Sequence, residues 1–178
     1  MHLRRFVLSL LVVAACTAAP SPPEARDAAE LAAIYAVVID SLREAVSPVQ
    51  VERRYAIEHG SADDRRRTRE SVISQDSRYT LELFASLDSA KESEQALAVA
   101  VATKRFVALV DSLVWPMQAR SPPTIGLSRV GFSRDHSLAI VSGWIFCGGR
   151  CGHTSYFLLG RAPDGRWQIV HQVVTVVS

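Results

Sequence analysis

Residues 138–146 read Leu-Ala-Ile-Val-Ser-Gly-Trp-Ile-Phe, and this stretch decides the fold. Nine residues without a charge are short for a helix and sufficient for a strand, and the Ile, Val, Trp and Phe side chains suit a pleated surface. A strand with one solvated face alternates apolar and polar residues. This one is apolar at both alternating sets of positions, which predicts a central strand.

Three further strand-like runs flank it, at 125–132, 155–161 and 167–177. Turn signals separate them. These are Ser133-Arg134-Asp135-His136, then Cys147-Gly148-Gly149-Arg150-Cys151-Gly152, then Pro163-Asp164-Gly165. Asp-Gly between two β-rich runs is a hairpin signal, because both residues tolerate the backbone that a tight turn needs. Connections this short join antiparallel neighbours, so the last third predicts an antiparallel meander of about four strands.

The first two-thirds read mainly as helix. Leu31, Ile34, Tyr35, Val38, Leu42 and Val46 recur at helical spacing, predicting a helix over about 25–46 that Ser47-Pro48 ends. Ser21-Pro22-Pro23-Glu24 and Asp27-Ala28-Ala29-Glu30 have the form of capping boxes. Val49, Val51, Arg53, Tyr55 and Ile57 alternate as in a strand closing at His59-Gly60-Ser61. Residues 62–89 read as helical, with Val72, Ile73, Leu83, Phe84 and Leu87 as contacts and a break around Ser77. Residues 93–114, rich in Ala and Val and containing Phe106, Leu109, Val110 and Leu113, predict a buried helix. Helices first and strands after give an α+β fold, with N-terminal helices packed on one face of the C-terminal meander.

The chain opens with a targeting signal. Arg4 and Arg5 precede an apolar run at 6–15, and Val13-Ala14-Ala15-Cys16 closes it. Its charge, length and flanks are those of a secretory signal, and it is too short to span a bilayer. The Val-Ala-Ala-Cys box resembles the lipobox of bacterial lipoproteins. That resemblance implies cleavage before Cys16, which then carries a diacylglyceryl thioether and an N-terminal acyl group. Residues 1–15 are then the cleaved signal, 16–24 the lipidated N-terminus and tether, and 25–178 a single α+β domain. Two or more acyl chains give stable anchoring. In a Gram-negative cell, Thr17 in place of an inner-membrane retention aspartate favours the periplasmic face of the outer membrane.

Charge narrows the partners. Twenty Lys and Arg face eighteen Asp and Glu, and removal of Arg4 and Arg5 leaves eighteen against eighteen. A nucleic-acid binder carries a basic excess, so none is expected here. The run Asp63-Asp64-Arg65-Arg66-Arg67, with Arg69 and Glu70, holds both signs at helical spacing and reads as a solvated helix face rather than a lipid-binding patch.

The C-terminal third also resembles a group of uncharacterised bacterial secreted proteins and lipoproteins. The resemblance rests on Ser128-Arg129-Val130-Gly131-Phe132, the Cys147-Gly148-Gly149-Arg150-Cys151-Gly152 tip and Asp164-Gly165-Arg166-Trp167 before a terminal serine. It covers about 50 residues and implies architecture without an activity. The end departs from the group, which carries an aromatic before the last serine where this chain has Val177.

Lipidation of Cys16 leaves Cys147 and Cys151, an even pair in an oxidising compartment. Three residues between them exclude the Cys-x-x-Cys redox motif. A hairpin tip containing two glycines allows a Cys147–Cys151 disulfide. The sharper alternative is a zinc site of Cys147, Cys151 and His153, with His171 on the neighbouring strand as fourth ligand, and the remaining one is a labile, redox-active disulfide. No His-Glu-x-x-His pair, Gly-x-Ser-x-Gly elbow or phosphate loop occurs. Asp40, Glu44 and Glu58 are carboxylates with no spacing that pairs them. Trp144, Tyr156 and Trp167 read as core or cross-strand packing, with a sugar- or lipid-stacking platform as the sharper alternative.

These features predict a lipid-anchored envelope protein, without catalytic residues or cofactor, that acts as a non-catalytic binding or assembly factor. Its partners would be the membrane, through the anchor, and an envelope protein or lipid. The alternatives are a metal-binding protein using the hairpin tip, or an enzyme whose site is dispersed in sequence.

Overall fold

The computed structural model describes residues 23–43, 48–53, 61–90, 94–105, 107–111, 122–147 and 152–177. In chain order these form α1 (Pro23–Arg43), β1 (Val49–Glu52), α2 (Ala62–Gln75), α3 (Leu81–Ser89), α4 (Glu94–Ala102), β2 (Val107–Val110), β3 (Thr124–Leu127), β4 (Gly131–Phe132), β5 (Leu138–Phe146), β6 (Gly152–Arg161) and β7 (Trp167–Val177). The fold is α+β. Its helices precede most of its strands.

The seven strands form one sheet in the order β2-β1-β3-β5-β6-β7, with β4 beside β5. β5, β6 and β7 pair as consecutive antiparallel strands, as the turn signals require. β3 and β4 pair antiparallel with successive stretches of β5. The run at 125–132 is therefore one strand interrupted at 128–130. β1 and β2 extend the sheet beyond the predicted meander, and both join in parallel. The sheet is thus mixed and larger than four strands.

The predicted helix at 93–114 is divided. α4 ends at Ala102, the Lys104 N–H bonds to the Val101 carbonyl at 2.9 Å, and β2 begins at Val107. Lys104 leaves the helix to meet Asp40 on α1. Val107-Ala108-Leu109-Val110 then pairs with β1, where β-branched side chains sit better than in a helix. The break expected near Ser77 is the 76–80 corner between α2 and α3. The Ser61 side chain accepts from Asp64 N–H, and Asp64 accepts from Ser61 N–H, a reciprocal cap that opens α2.

Helices cover both faces of the sheet, not one. Alternate residues separate cleanly. Ala139, Val141 and Ile145 of β5, Phe157 and Leu159 of β6, and Trp167 of β7 join Ile34, Tyr35, Val38 and Leu42 of α1 and Leu97 of α4. Ile140 of β5, Tyr156 and Leu158 of β6, and Val173 of β7 join Val72 of α2, Leu83, Phe84 and Leu87 of α3, and Tyr79. The double apolar periodicity of 138–146 follows directly, since the strand has α1 on one side and α3 on the other. Each fully buried Leu, Ile, Val or Phe contributes about 1.5–3 kcal/mol through loss of water contact.

Candidate functional site

Cys16 and Cys151 lie outside the described residues, as do Glu44 and Glu58. Cys147 follows the end of β5. His153 is half-buried on β6, opposite Ile145 and Val177. It stands at the same end of the sheet as Cys147. His171 does not. It pairs with Leu158, five residues farther along β6, about 17 Å away at strand rise. The two histidines also project to opposite faces, because His153 shares the parity of Phe157 whereas His171 lies opposite Leu158. The fourth-ligand role for His171 is therefore corrected. Among the described residues no group of three or more His, Cys, Asp or Glu is placed to hold a metal ion.

The predicted aromatic platform is divided as well. Tyr156 belongs to the α3 face, Trp144 shares that face by alternation with Ile140 along β5, and Trp167 belongs to the α1 face. Tyr156 is buried against Phe84 with ring centroids 5.3 Å apart and planes at 80°. Trp144 lies over Gly126 so closely that a Cβ there would sit 2.1 Å from the indole nitrogen. That nitrogen is buried, with no hydrogen-bond partner among the described residues. Asp40 is held by Arg43 at 3.2 Å and by Lys104, which joins α1 to the end of α4.

His171 belongs to a cluster that the sequence did not announce. Tyr79, fully buried in the 76–80 corner, directs its hydroxyl at the carbonyls of Tyr156 (3.2 Å) and His171 (3.4 Å). The β6–β7 register shifts between Leu158 and Leu159, and the tyrosine inserts beside that irregularity. Burial pushes its hydroxyl pKa well up, with the Asp76 charge adding to the effect. Asp76 sits 3.7 Å from His171 Nδ1 and accepts hydrogen bonds from the Arg78 side chain and backbone N–H. Those bonds pull its pKa down to about 2. A general base needs a pKa near working pH. Asp76 is instead held charged as a structural anchor.

The Ser128-Arg129-Val130-Gly131-Phe132 motif is a helix-docking seam. Ser128 Oγ accepts from Ser142 N–H at 2.8 Å, and Ser128 N–H donates to the Ser142 carbonyl at 2.8 Å. This pair carries the sheet across the 128–130 interruption. Arg129 Nη1 donates to the Ala90 carbonyl at 3.0 Å, satisfying an acceptor at the end of α3. Val130 is buried in the α1-side core. Gly131 admits the α3 backbone, and Phe132 N–H donates to Ser86 Oγ at 2.8 Å.

At the hairpin end of the sheet, Glu30 of α1 accepts from Trp167 Nε1 at 3.2 Å and from the Arg161 guanidinium, which lies 5.0 Å from the Trp167 ring centre. Phe132 lies 6.0 Å from Trp167, and His136 stacks on Phe132 at 5.0 Å. His136 takes φ +54°, a left-handed conformation uncommon outside glycine. Three arginines of α2 stand in ion pairs: Arg66 with Asp63, Arg67 with Asp64, and Arg69 with Asp88 across to α3.

The arrangement fastens helices to a sheet by side-chain clamps. Among the described residues it brings none of the sequence-predicted chemistry together except Cys147 and His153. No family model, curated protein or solved structure matches the chain.

Proposed function

We propose that this protein is a lipid-anchored component of the bacterial cell envelope that acts by binding or assembly, without catalysis. The observation that carries the reading is the Arg4-Arg5 leader ending in Val13-Ala14-Ala15-Cys16. The structure's polar clusters are compatible with it. Tyr79, Arg129 and Glu30 each serve the joining of helix to sheet. Within this reading Cys147 pairs with Cys151 across the hairpin tip. Among the described residues no helix is long and apolar enough to cross a membrane. Attachment through Cys16 supplies the membrane contact.

The test is Cys16→Ser. The variant should accumulate as unprocessed precursor or leave the membrane fraction, while the wild-type chain carries lipid mass on Cys16. A variant that matures and fractionates like wild type would overturn the reading.

A further inference from the structure

We propose that the end of the sheet bearing the 133–137 and 162–166 turns is the surface that faces the lipid bilayer, with the Cys147 end pointing away from it. The inference rests on the lipid-anchor reading and adds an orientation to it.

Both turns lie at one end because β5 and β6 are antiparallel: Leu138 is registered with Gly160 there, and Phe146 with Gly152 at the other end. Helix α1 starts at this same end. Glu30 is clamped to Arg161 and Trp167, which flank the 162–166 turn. Farther along, the Tyr35 hydroxyl reaches the Ser128 carbonyl, and Leu42 packs where a Cβ on Gly143 would lie. The helix therefore runs from the turn end toward the Cys147 end.

Chain length does the rest. Seven residues from Cys16 to Pro23 reach at most about 25 Å. Glu30 is about 10 Å farther along α1 at helical rise. The nine residues of β5 separate the two ends of the sheet by about 30 Å. The anchor is thus tied to the turn end, and the Cys147 end is carried outward. The turns present Arg134 and Arg166, whose side chains are 91% and 86% exposed. Their partners, Glu82 and Asp164, are surface ion pairs of the kind that contribute little and exchange readily. Both guanidiniums are available to phosphate headgroups, which attract a nearby arginine by about fivefold in binding at an anionic surface.

The experiment is amide hydrogen exchange on the full mature protein, in detergent and in vesicles of phosphatidylethanolamine and phosphatidylglycerol. Exchange should slow in vesicles at 133–137 and 162–166 and stay unchanged at 152–156. Arg134→Glu with Arg166→Glu should lose that protection while lipid mass on Cys16 is retained. Protection at 152–156 instead, or none at either end of a lipidated, vesicle-bound chain, overturns the orientation alone. Intact mass without lipid on Cys16 overturns the anchor, and the orientation with it.

Discussion

A Cβ on Gly131 would lie 2.5 Å from the backbone nitrogen of Leu87, so the short strand β4 and helix α3 meet backbone to backbone. The same hypothetical atom would lie 2.8 Å from the Leu83 carbonyl oxygen. Neither contact is with the end of a flexible side chain. Gly131→Ala must therefore push α3 off the sheet. Overpacking of this kind costs about 1–3 kcal/mol. The variant should show a lower urea midpoint with an unchanged slope. Unaltered stability would mean that α3 is not seated as described.

Tyr79→Phe removes the hydroxyl at the β6–β7 irregularity and keeps the ring. The carbonyls of Tyr156 and His171 lose that donor in a buried setting. The expected loss is about 1–3 kcal/mol. An alkaline signature accompanies it. Burial raises the Tyr79 pKa above its ordinary value of 10.0, so the folded protein resists its ionisation while the unfolded chain does not. Its contribution is present below about pH 10 and declines as pH rises beyond that. Wild type should lose stability more steeply than Tyr79→Phe above about pH 10, measured as thermal midpoint against pH.

Acid stability should depend on two aspartates. Arg78 holds Asp76, and Ser133 and Ser137 hold Asp135, each down to about 2 from 3.8. A depressed carboxylate pKa contributes stability above its unfolded value, and that contribution disappears as pH falls through the folded value. The window is therefore from about pH 4 down to about pH 2. In the double variant Asp76→Asn, Asp135→Asn the thermal midpoint should fall less steeply across this window than in wild type. Equal slopes would remove these two groups from the account.

The sequence carried the β-meander because its signals are local. Asp164-Gly165 marks a turn, and 138–146 shows its double apolar face without reference to anything distant. It carried the 76–80 break for the same reason. The division of 93–114 was hidden because Val107-Ala108-Leu109-Val110 suits helix or strand, and the choice is made by β1, more than fifty residues earlier. The second helical layer was hidden too. Periodicity shows that a strand is covered on both sides but not by what. Among the site residues, Cys147 and His153 were legible as neighbours across a hairpin. The Glu30 clamp was not, because its partners Arg161 and Trp167 stand more than 130 residues away and a lone glutamate in a helix's first turns has no spacing that announces them.

The hairpin tip separates a disulfide from a metal site. With His171 on the opposite face, the donors left of the set read from the sequence are Cys147, Cys151 and His153. Structural zinc sites close with four protein ligands and need both thiols reduced and deprotonated. Three donors leave such a site open, and an oxidising compartment favours the sulfur–sulfur bond. The purified mature chain should therefore show no free thiol and no stoichiometric zinc. Closing so short a loop contributes about 2 kcal/mol in the chain-entropy description, so reduction should lower the thermal midpoint while the fold persists. Cys147→Ser with Cys151→Ser should reproduce the reduced protein's stability and make it insensitive to reductant. Two free thiols with one equivalent of zinc, and a tip that loosens on chelation, would assign metal binding to this end of the sheet instead.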